Sequence, residues 1–177
     1  MQVQYGSVAM IQPWMALVEE IRGNFPGLET PQALEEHRQT VLRFMEKRQA
    51  LCVQDGGRVA GVLLFSRGRN MICCLGVSPA YRRRGIASLL LGEALAQLDR
   101  TRAVTVSTFR EQDPKGAAPR ALYRKFGFRE GPLTQEFGYP NQVMVLPRRS
   151  DAPRLDLARR VAYSRKKQLL GRACQHD

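Results

Sequence analysis

The chain has 177 residues, 44% of them hydrophobic, which suffices for one compact domain with its own core. Its longest apolar stretch, Met71 to Val77, falls far short of the ~18 residues that a membrane helix needs, and no basic segment followed by an apolar one opens the chain. A soluble, cytoplasmic protein is expected, and a membrane partner is not; the net charge of +12 suits polyanions without selecting one.

Gln2 to Ala9 alternates through Val3, Tyr5 and Val8 and predicts an edge strand. Trp14, Leu17, Val18 and Ile21 share one face of a first helix, which the Phe25-Pro26-Gly27 break ends. A second helix starts with Thr30 as N-cap and Pro31 in its first turn, and buries Leu34, Val41, Leu42 and Met45. From Ala50 the pattern becomes extended. Leu51–Gln54, Val59–Phe65 and Met71–Val77, parted by Asp55-Gly56-Gly57 and Arg67-Gly68-Arg69-Asn70, read as an antiparallel meander.

A helix over Arg84–Arg100 places Ile86, Leu89, Leu90, Ala94, Leu95 and Leu98 at helical spacing, and reads as the most amphipathic of the chain. Ala103–Thr108 is the next strand, so a strand, a crossover helix and a parallel strand follow one another. A short helix over Ala118–Phe126 stops at Gly127, and Phe128 opens an extended run whose last strand is Gln142–Leu146. The expected fold class is α/β of the α+β kind: a mixed, mostly antiparallel sheet with helices on both faces.

The four cysteines, Cys52, Cys73, Cys74 and Cys174, lack the two-residue gap of zinc and redox motifs, so reduced thiols and no metal are expected. Strand alternation would send Cys73 and Cys74 to opposite faces as small buried hydrophobes.

The chemistry concentrates where the strongest strand meets the third helix, at Val77-Ser78-Pro79-Ala80-Tyr81-Arg82-Arg83-Arg84-Gly85-Ile86-Ala87. Free N–H groups at a helix start carry the positive end of its dipole, Gly85 and Ala87 let an anion come close, and arginine forks match phosphate oxygens. The alternative is a basic loop before an ordinary helix. Arg82, Gly85 and Ala87 fill the positions of the pyrophosphate signature of the GNAT superfamily of N-acetyltransferases, which this segment resembles. Ala121-Leu122-Tyr123-Arg124-Lys125-Phe126-Gly127-Phe128 is similar to that family's Leu-Tyr-three residues-Gly-Phe signature. The resemblance covers residues 1–147, the expected catalytic domain, and leaves 148–177 as a basic tail.

What the resemblance implies is a splayed pair of parallel strands ending near Val77 and Thr108, with the pantetheine arm of acetyl-coenzyme A, or of a longer acyl donor, between them. Leu75, Gly76 and Val77 would bind the arm through backbone groups, one of which polarises the thioester carbonyl. Arg82, Arg83, Arg84, Gly85, Ile86, Ala87 and Ser88 would hold the pyrophosphate. Tyr123 matches the position whose phenol reaches the departing sulfur, as hydrogen-bond or late proton donor; the alternative is an aromatic in helix packing. Family members that carry a glutamate on the first splayed strand have no counterpart here. Glu111, Asp113 and His37 are candidate bases, beside a water chain.

Residues 148–177 hold nine Lys or Arg against three acidic residues, a net +6. Their loose apolar stripe from Leu155 to Leu170, behind Pro153, suits a helix over 153–170 that docks, binds a partner, or stays mobile. Nucleic acid is a possible partner of this tail, though no reader motif accompanies the charge. Two functions compete: an acetyl-coenzyme A dependent N-acetyltransferase, and a GNAT-shaped acyl-coenzyme A sensor or nucleic-acid-associated protein without turnover. The Tyr123 signature favours the enzyme. Its acceptor is a small amine, an antibiotic, a protein amino group or an aminoacyl-tRNA.

Overall fold

The computed structural model describes residues 1–151; the helix expected over 153–170 and Cys174 lie outside them. Seven strands, β1 (Val3–Tyr5), β2 (Ala50–Asp55), β3 (Arg58–Ser66), β4 (Met71–Val77), β5 (Val104–Phe109), β6 (Arg129–Glu136) and β7 (Tyr139–Leu146), form one sheet. Their spatial order is β1-β2-β3-β4-β5-β7-β6. Neighbours run antiparallel except β4 and β5. Four helices accompany the sheet: α1 (Ile11–Ile21), α2 (Pro31–Glu46), α3 (Ile86–Ala96) and α4 (Ala117–Lys125).

The helices cover both faces because the strands are apolar on both. β3 sends Val62 and Leu64 under α1 and α2, where Trp14, Leu17, Val18, Val41 and Met45 lie. It sends Leu63 and Phe65 to the other face, against Leu90, Leu91 and Ala94 of α3. Such a doubly covered strand reads as a continuous apolar run, as this one does. Thr30 caps α2 as expected, its Oγ1 accepting from the Ala33 N–H at 3.1 Å. Gly127, at φ +91°, ends α4 in the left-handed conformation that glycine adopts most readily.

Three elements depart from expectation. The first strand stops at Tyr5, because Val8–Met10 turns into a 3-10 helix that leaves Val8 exposed. The third helix is shorter at both ends than Arg84–Arg100, since Arg83 and Gly85 have positive φ and Gln97 closes it. Its buried face is Ile86, Leu90, Leu91 and Ala94 while Leu89 is exposed, so it is apolar nearly all round instead of sharply amphipathic. β7 begins three residues earlier than Gln142, because Tyr139 pairs with Glu136 across a tight turn at Phe137-Gly138.

Asn70 ties the crossover to the sheet. Its Nδ2 donates to the carbonyls of Asp99 and Ala103 (2.9 and 2.8 Å), and its Oδ1 accepts from the Asp99 N–H (3.0 Å). These bonds fix where α3 hands over to β5, and so where β5 meets β4.

Candidate active site

β4 and β5 pair only through Met71↔Thr105 and Ile72↔Val106. Beyond that point β4 stays paired to β3 as far as Val77↔Gly61, and β5 to β7 as far as Phe109↔Asn141. Each strand thus keeps its outer partner while the two inner edges separate. Leu75, Gly76 and Val77 lie on the unpaired part of β4, on one side of the resulting slot.

A bulge opens the slot. Against β3, Leu64 faces Cys74 and Phe65 faces Ile72, so Cys73 is the extra residue of β4. The bulge overturns the simple alternation expected of the two cysteines. Ile72 packs toward α3 and Cys74 toward α1, and Leu75 then returns to the α3 face. Cys73 is also exposed, not buried as expected; Cys52 is buried and Cys74 half-buried. Shielding of the sulfur itself still raises the Cys73 thiol to about 11, with Arg69 opposing and Glu136 adding. Burial takes Cys74 to about 12.

Gly76 has no room for a side chain, since a Cβ there would stand 2.4 Å from Ile21 and 3.4 Å from Phe25. At the slot's end the chain makes a 3-10 turn, Pro79–Tyr81, and enters α3 through Gly85 at φ +79°. No side chain caps α3, and a Cβ on Gly85 would meet nothing within 4 Å. The N–H groups of Ile86, Ala87 and Ser88 therefore open onto free space with the positive end of the helix dipole behind them. Arg82, Arg83 and Arg84 are exposed around this opening. Arg84 lies 5.0 Å over the Tyr81 ring, whose hydroxyl donates to Asp55 at 3.0 Å.

Tyr123 of α4 is buried on the α3 side of the sheet, 5.5 Å from the Phe128 ring. Burial, with Cys74 adding, drives its phenol far above the usual range, so it stays protonated. The base candidates fare differently. Glu111 receives Arg124 at 2.7 Å. Asp113 accepts from the Tyr139 hydroxyl at 2.5 Å and the Lys115 N–H at 2.9 Å, and those bonds hold it below the usual carboxylate range. His37 is half-buried on α2, where desolvation lowers its pKa. Among the described residues no three His, Cys, Asp or Glu side chains gather around a metal position.

Several residues that sequence reasoning passed over border the slot on the α1 side. Ser107 of β5, Asn141 of β7 and Glu136 of β6 are linked through Asn141 Nδ2, which donates to Ser107 Oγ at 3.4 Å and to Glu136 Oε2 at 3.3 Å. Next to them a cavity of about 390 Å3 is lined by Arg22, Phe25, Leu28, Glu29, Lys115 and Tyr139. Lys115 Nζ donates to the Gly23 carbonyl at 2.8 Å and so ties the loop after β5 to the loop after α1. Arg120 of α4, also unforeseen, is buried and donates to the Phe109 carbonyl and Gln142, fixing the end of β5. No local signal marked Asn141 or Glu136, both of which lie before the expected last strand, Gln142–Leu146.

The model of the acetyltransferase (GNAT) family matches residues 14–128. The chain belongs to the GNAT acetyltransferase family. A GNAT domain is an acyltransferase, and the splay between β4 and β5 is the fold feature expected of it. Among solved structures, an N-acetyltransferase from Staphylococcus aureus Mu50 is similar with TM-score 0.65 and 16% identity, over 82% of this chain and 100% of that one. The PaiA N-acetyltransferase from Thermoplasma acidophilum, in complex with coenzyme A, has TM-score 0.62 and 14% identity, over 82% and 98%. The Escherichia coli ribosomal-protein-S18-alanine N-acetyltransferase has TM-score 0.62 and 16% identity, over 83% and 93%. Identities this low establish a shared GNAT fold. No curated protein matches the chain by sequence. The family span takes in the β4–α3 junction and α4 but stops before β6, so Glu136, Tyr139 and Asn141 lie outside it. No helix among the described residues is long and apolar enough to cross a membrane.

Proposed function

We propose that this GNAT chain transfers the acetyl group of acetyl-coenzyme A to a primary amine by direct attack. The observation that carries the reading is the slot itself: two parallel strands that part after two residue pairs and open beside an uncapped helix start flanked by three arginines. The coenzyme A complex of the Thermoplasma protein supports the donor, and the alanine N-acetyltransferase from Escherichia coli supports an amine acceptor. The residues present fit the donor. Gly85 leaves open the space that a pyrophosphate would fill, Ile86, Ala87 and Ser88 offer N–H groups, and Arg82, Arg83 and Arg84 supply charge. Leu75, Gly76 and Val77 offer an unpaired edge to the amides of the pantetheine arm.

Tyr123 acts as a hydrogen-bond donor to the departing sulfur. Its phenol is far weaker as an acid than a thiol near ~8.5, so full proton transfer to the thiolate would run uphill. The unpaired Cys52, Cys73 and Cys74 support a reducing, cytoplasmic setting.

Cys73 supplies the test. In a Cys174→Ser background, saturating acetyl-coenzyme A is expected to shield Cys73 from iodoacetamide by about ten-fold or more, as a thioester lying in the slot would bury the sulfur. Mass spectrometry of the Cys73 peptide reads the rate. Alkylation at the same rate with and without acetyl-coenzyme A would remove the slot as the donor site.

A further inference from the structure

Asn141 is 5% exposed, yet its Oδ1 has no hydrogen-bond partner among the described residues. A buried acceptor without a donor is a standing cost, which a fold keeps where a ligand supplies the missing N–H. Its Nδ2 is already used, toward Ser107 and Glu136, and since the carboxylate only accepts, the amide oxygen is the atom left over. The place is favourable. Asn141, Ser107 and Phe109 are on the sheet face opposite Val104, Val106 and Thr108, which is the α1 side.

Glu136 differs from the other carboxylates near the slot. Glu111 is spent on Arg124 and Asp113 on Tyr139 and Lys115. Glu20 is held by Arg58 and Ser78, and Glu29 by the Gly27 N–H. The hydrogen bond that Glu136 accepts is the long one from Asn141, and the residue is exposed. Its charge nevertheless reaches Cys73, the extra residue of the β4 bulge. Tyr123 is buried on the opposite, α3 face of the same sheet.

We propose that Asn141 Oδ1 and the Glu136 carboxylate seat the acceptor's amino group, and that Glu136 is the catalytic base of the transfer. This rests on the acetyltransferase reading above. An amine offers the N–H donors that Asn141 Oδ1 needs, and the adjacent carboxylate selects a nitrogen that carries positive charge over a hydroxyl. The acceptor enters as its ammonium and loses one proton to solvent. The nitrogen lone pair then attacks the thioester carbon, a C–N bond forms, and the carbonyl π pair moves to oxygen. As the nitrogen becomes cationic its remaining acidic proton passes to Glu136. The pair on oxygen returns to re-form the carbonyl, the C–S bond breaks with its pair going to sulfur, and Tyr123 donates a hydrogen bond to the thiolate. Glu136, being exposed, returns its proton to the thiolate, directly or through water. The amide, coenzyme A and one proton are the products.

The test measures thiol release from acetyl-coenzyme A with spermidine and with an alanine-led hexapeptide as acceptor probes. Glu136→Ala is expected to lower kcat by ~10²-fold with acetyl-coenzyme A affinity within two-fold of wild type, and added formate should restore part of the rate. Asn141→Ala, a positioning change, should raise KM for the amine by about ten-fold and leave affinity for acetyl-coenzyme A as it was. Wild-type turnover in Glu136→Ala, or a loss that formate does not touch, overturns the proposal. If neither probe is turned over, iodoacetamide capture of Cys73 decides. Glu136→Gln should speed capture a few-fold, on the order of the field that one charge exerts near the surface, and an unchanged rate places the carboxylate away from the bulge and ends the proposal. Failure of acetyl-coenzyme A to shield Cys73 would instead sink the acetyltransferase reading.

Discussion

Tyr123 shows how one side chain takes on a role from its surroundings. The ring is core: it packs with Phe128 and the residues of α3 and β5 on one face of the sheet. The hydroxyl is the part that packing does not require, and no hydrogen bond within the described residues uses it. Tyr123→Phe is therefore expected to melt within ~2 °C of wild type, because a hydroxyl without a protein partner contributes little to stability. It should bind acetyl-coenzyme A normally and release thiol about ten-fold more slowly, less than the ~10² typical of acid–base contacts because a thiolate is already a good leaving group. Stopped-flow thiol release at saturating acetyl-coenzyme A reads the change, and a wild-type kcat would reduce Tyr123 to a packing residue. Tyr123 could be singled out from sequence because its neighbours Leu122, Gly127 and Phe128 sit at fixed local spacing. Glu136 and Asn141 could not. Their meeting beside Ser107 depends on β7 entering the sheet between β5 and β6, a pairing over long sequence distance that no local pattern encodes.

At the scale of elements, local rules worked where local forces decide. The cap at Thr30, the stop at Gly127 and the turn at Asp55-Gly56-Gly57 were all legible, since each depends on backbone preferences within a few residues. The β4 bulge was not legible, because it answers to the partner strand β3 and not to the composition of β4. The start of α3 lies between these cases. Helical spacing carried the expected helix back to Arg84, whereas positive φ at Arg83 and Gly85 delays it to Ile86. That delay is what leaves the first N–H groups open. Gly85→Ala should cost about 1 kcal/mol, since a Cβ is strained at φ +79° although it meets no atom. Its Cβ also enters the space proposed for the pyrophosphate, so acetyl-coenzyme A affinity should fall a few-fold. Gly85→Glu carries the same backbone penalty but sets a carboxylate at the positive helix end, where it competes with the pyrophosphate, and affinity should fall about ten-fold or more. Thermal melts and calorimetric titration of the two variants separate strain from repulsion. Equal affinities in both would take the pyrophosphate away from α3.

Across the whole molecule the sheet is two units, β1 to β4 and β5 with β7 and β6, whose strands pair directly at only two positions and which share one apolar core on the α3 face. So short a parallel ladder cannot by itself resist the opening that the slot requires. Two further ties flank it. At the open end Lys115 reaches the Gly23 carbonyl, and the Phe137 ring lies where a Cβ on Gly27 would stand, 2.6 Å from its Cγ. At the closed end Asn70, 1% exposed, makes three side-chain hydrogen bonds to the crossover, and its carbonyl accepts from the Thr105 N–H at 3.3 Å. The closed-end tie should dominate stability, because its bonds are buried and leave Asp99 and Ala103 groups unpaired when they break. Asn70 also sits at φ +53°, which confounds a simple truncation. Asn70→Gly removes the side chain and keeps that backbone conformation at ease, so its expected loss of about 3 kcal/mol, from three bonds at ~1 kcal/mol each, isolates the hydrogen bonds. Asn70→Ala should lose roughly 1 kcal/mol more through strain. For a chain of this size the glycine variant should melt ~6–12 °C lower. Acetyl-coenzyme A should recover part of that loss, since the slot proposed for it has one wall on each unit. A glycine variant melting with wild type would show that the ladder and the shared core hold the units together without Asn70.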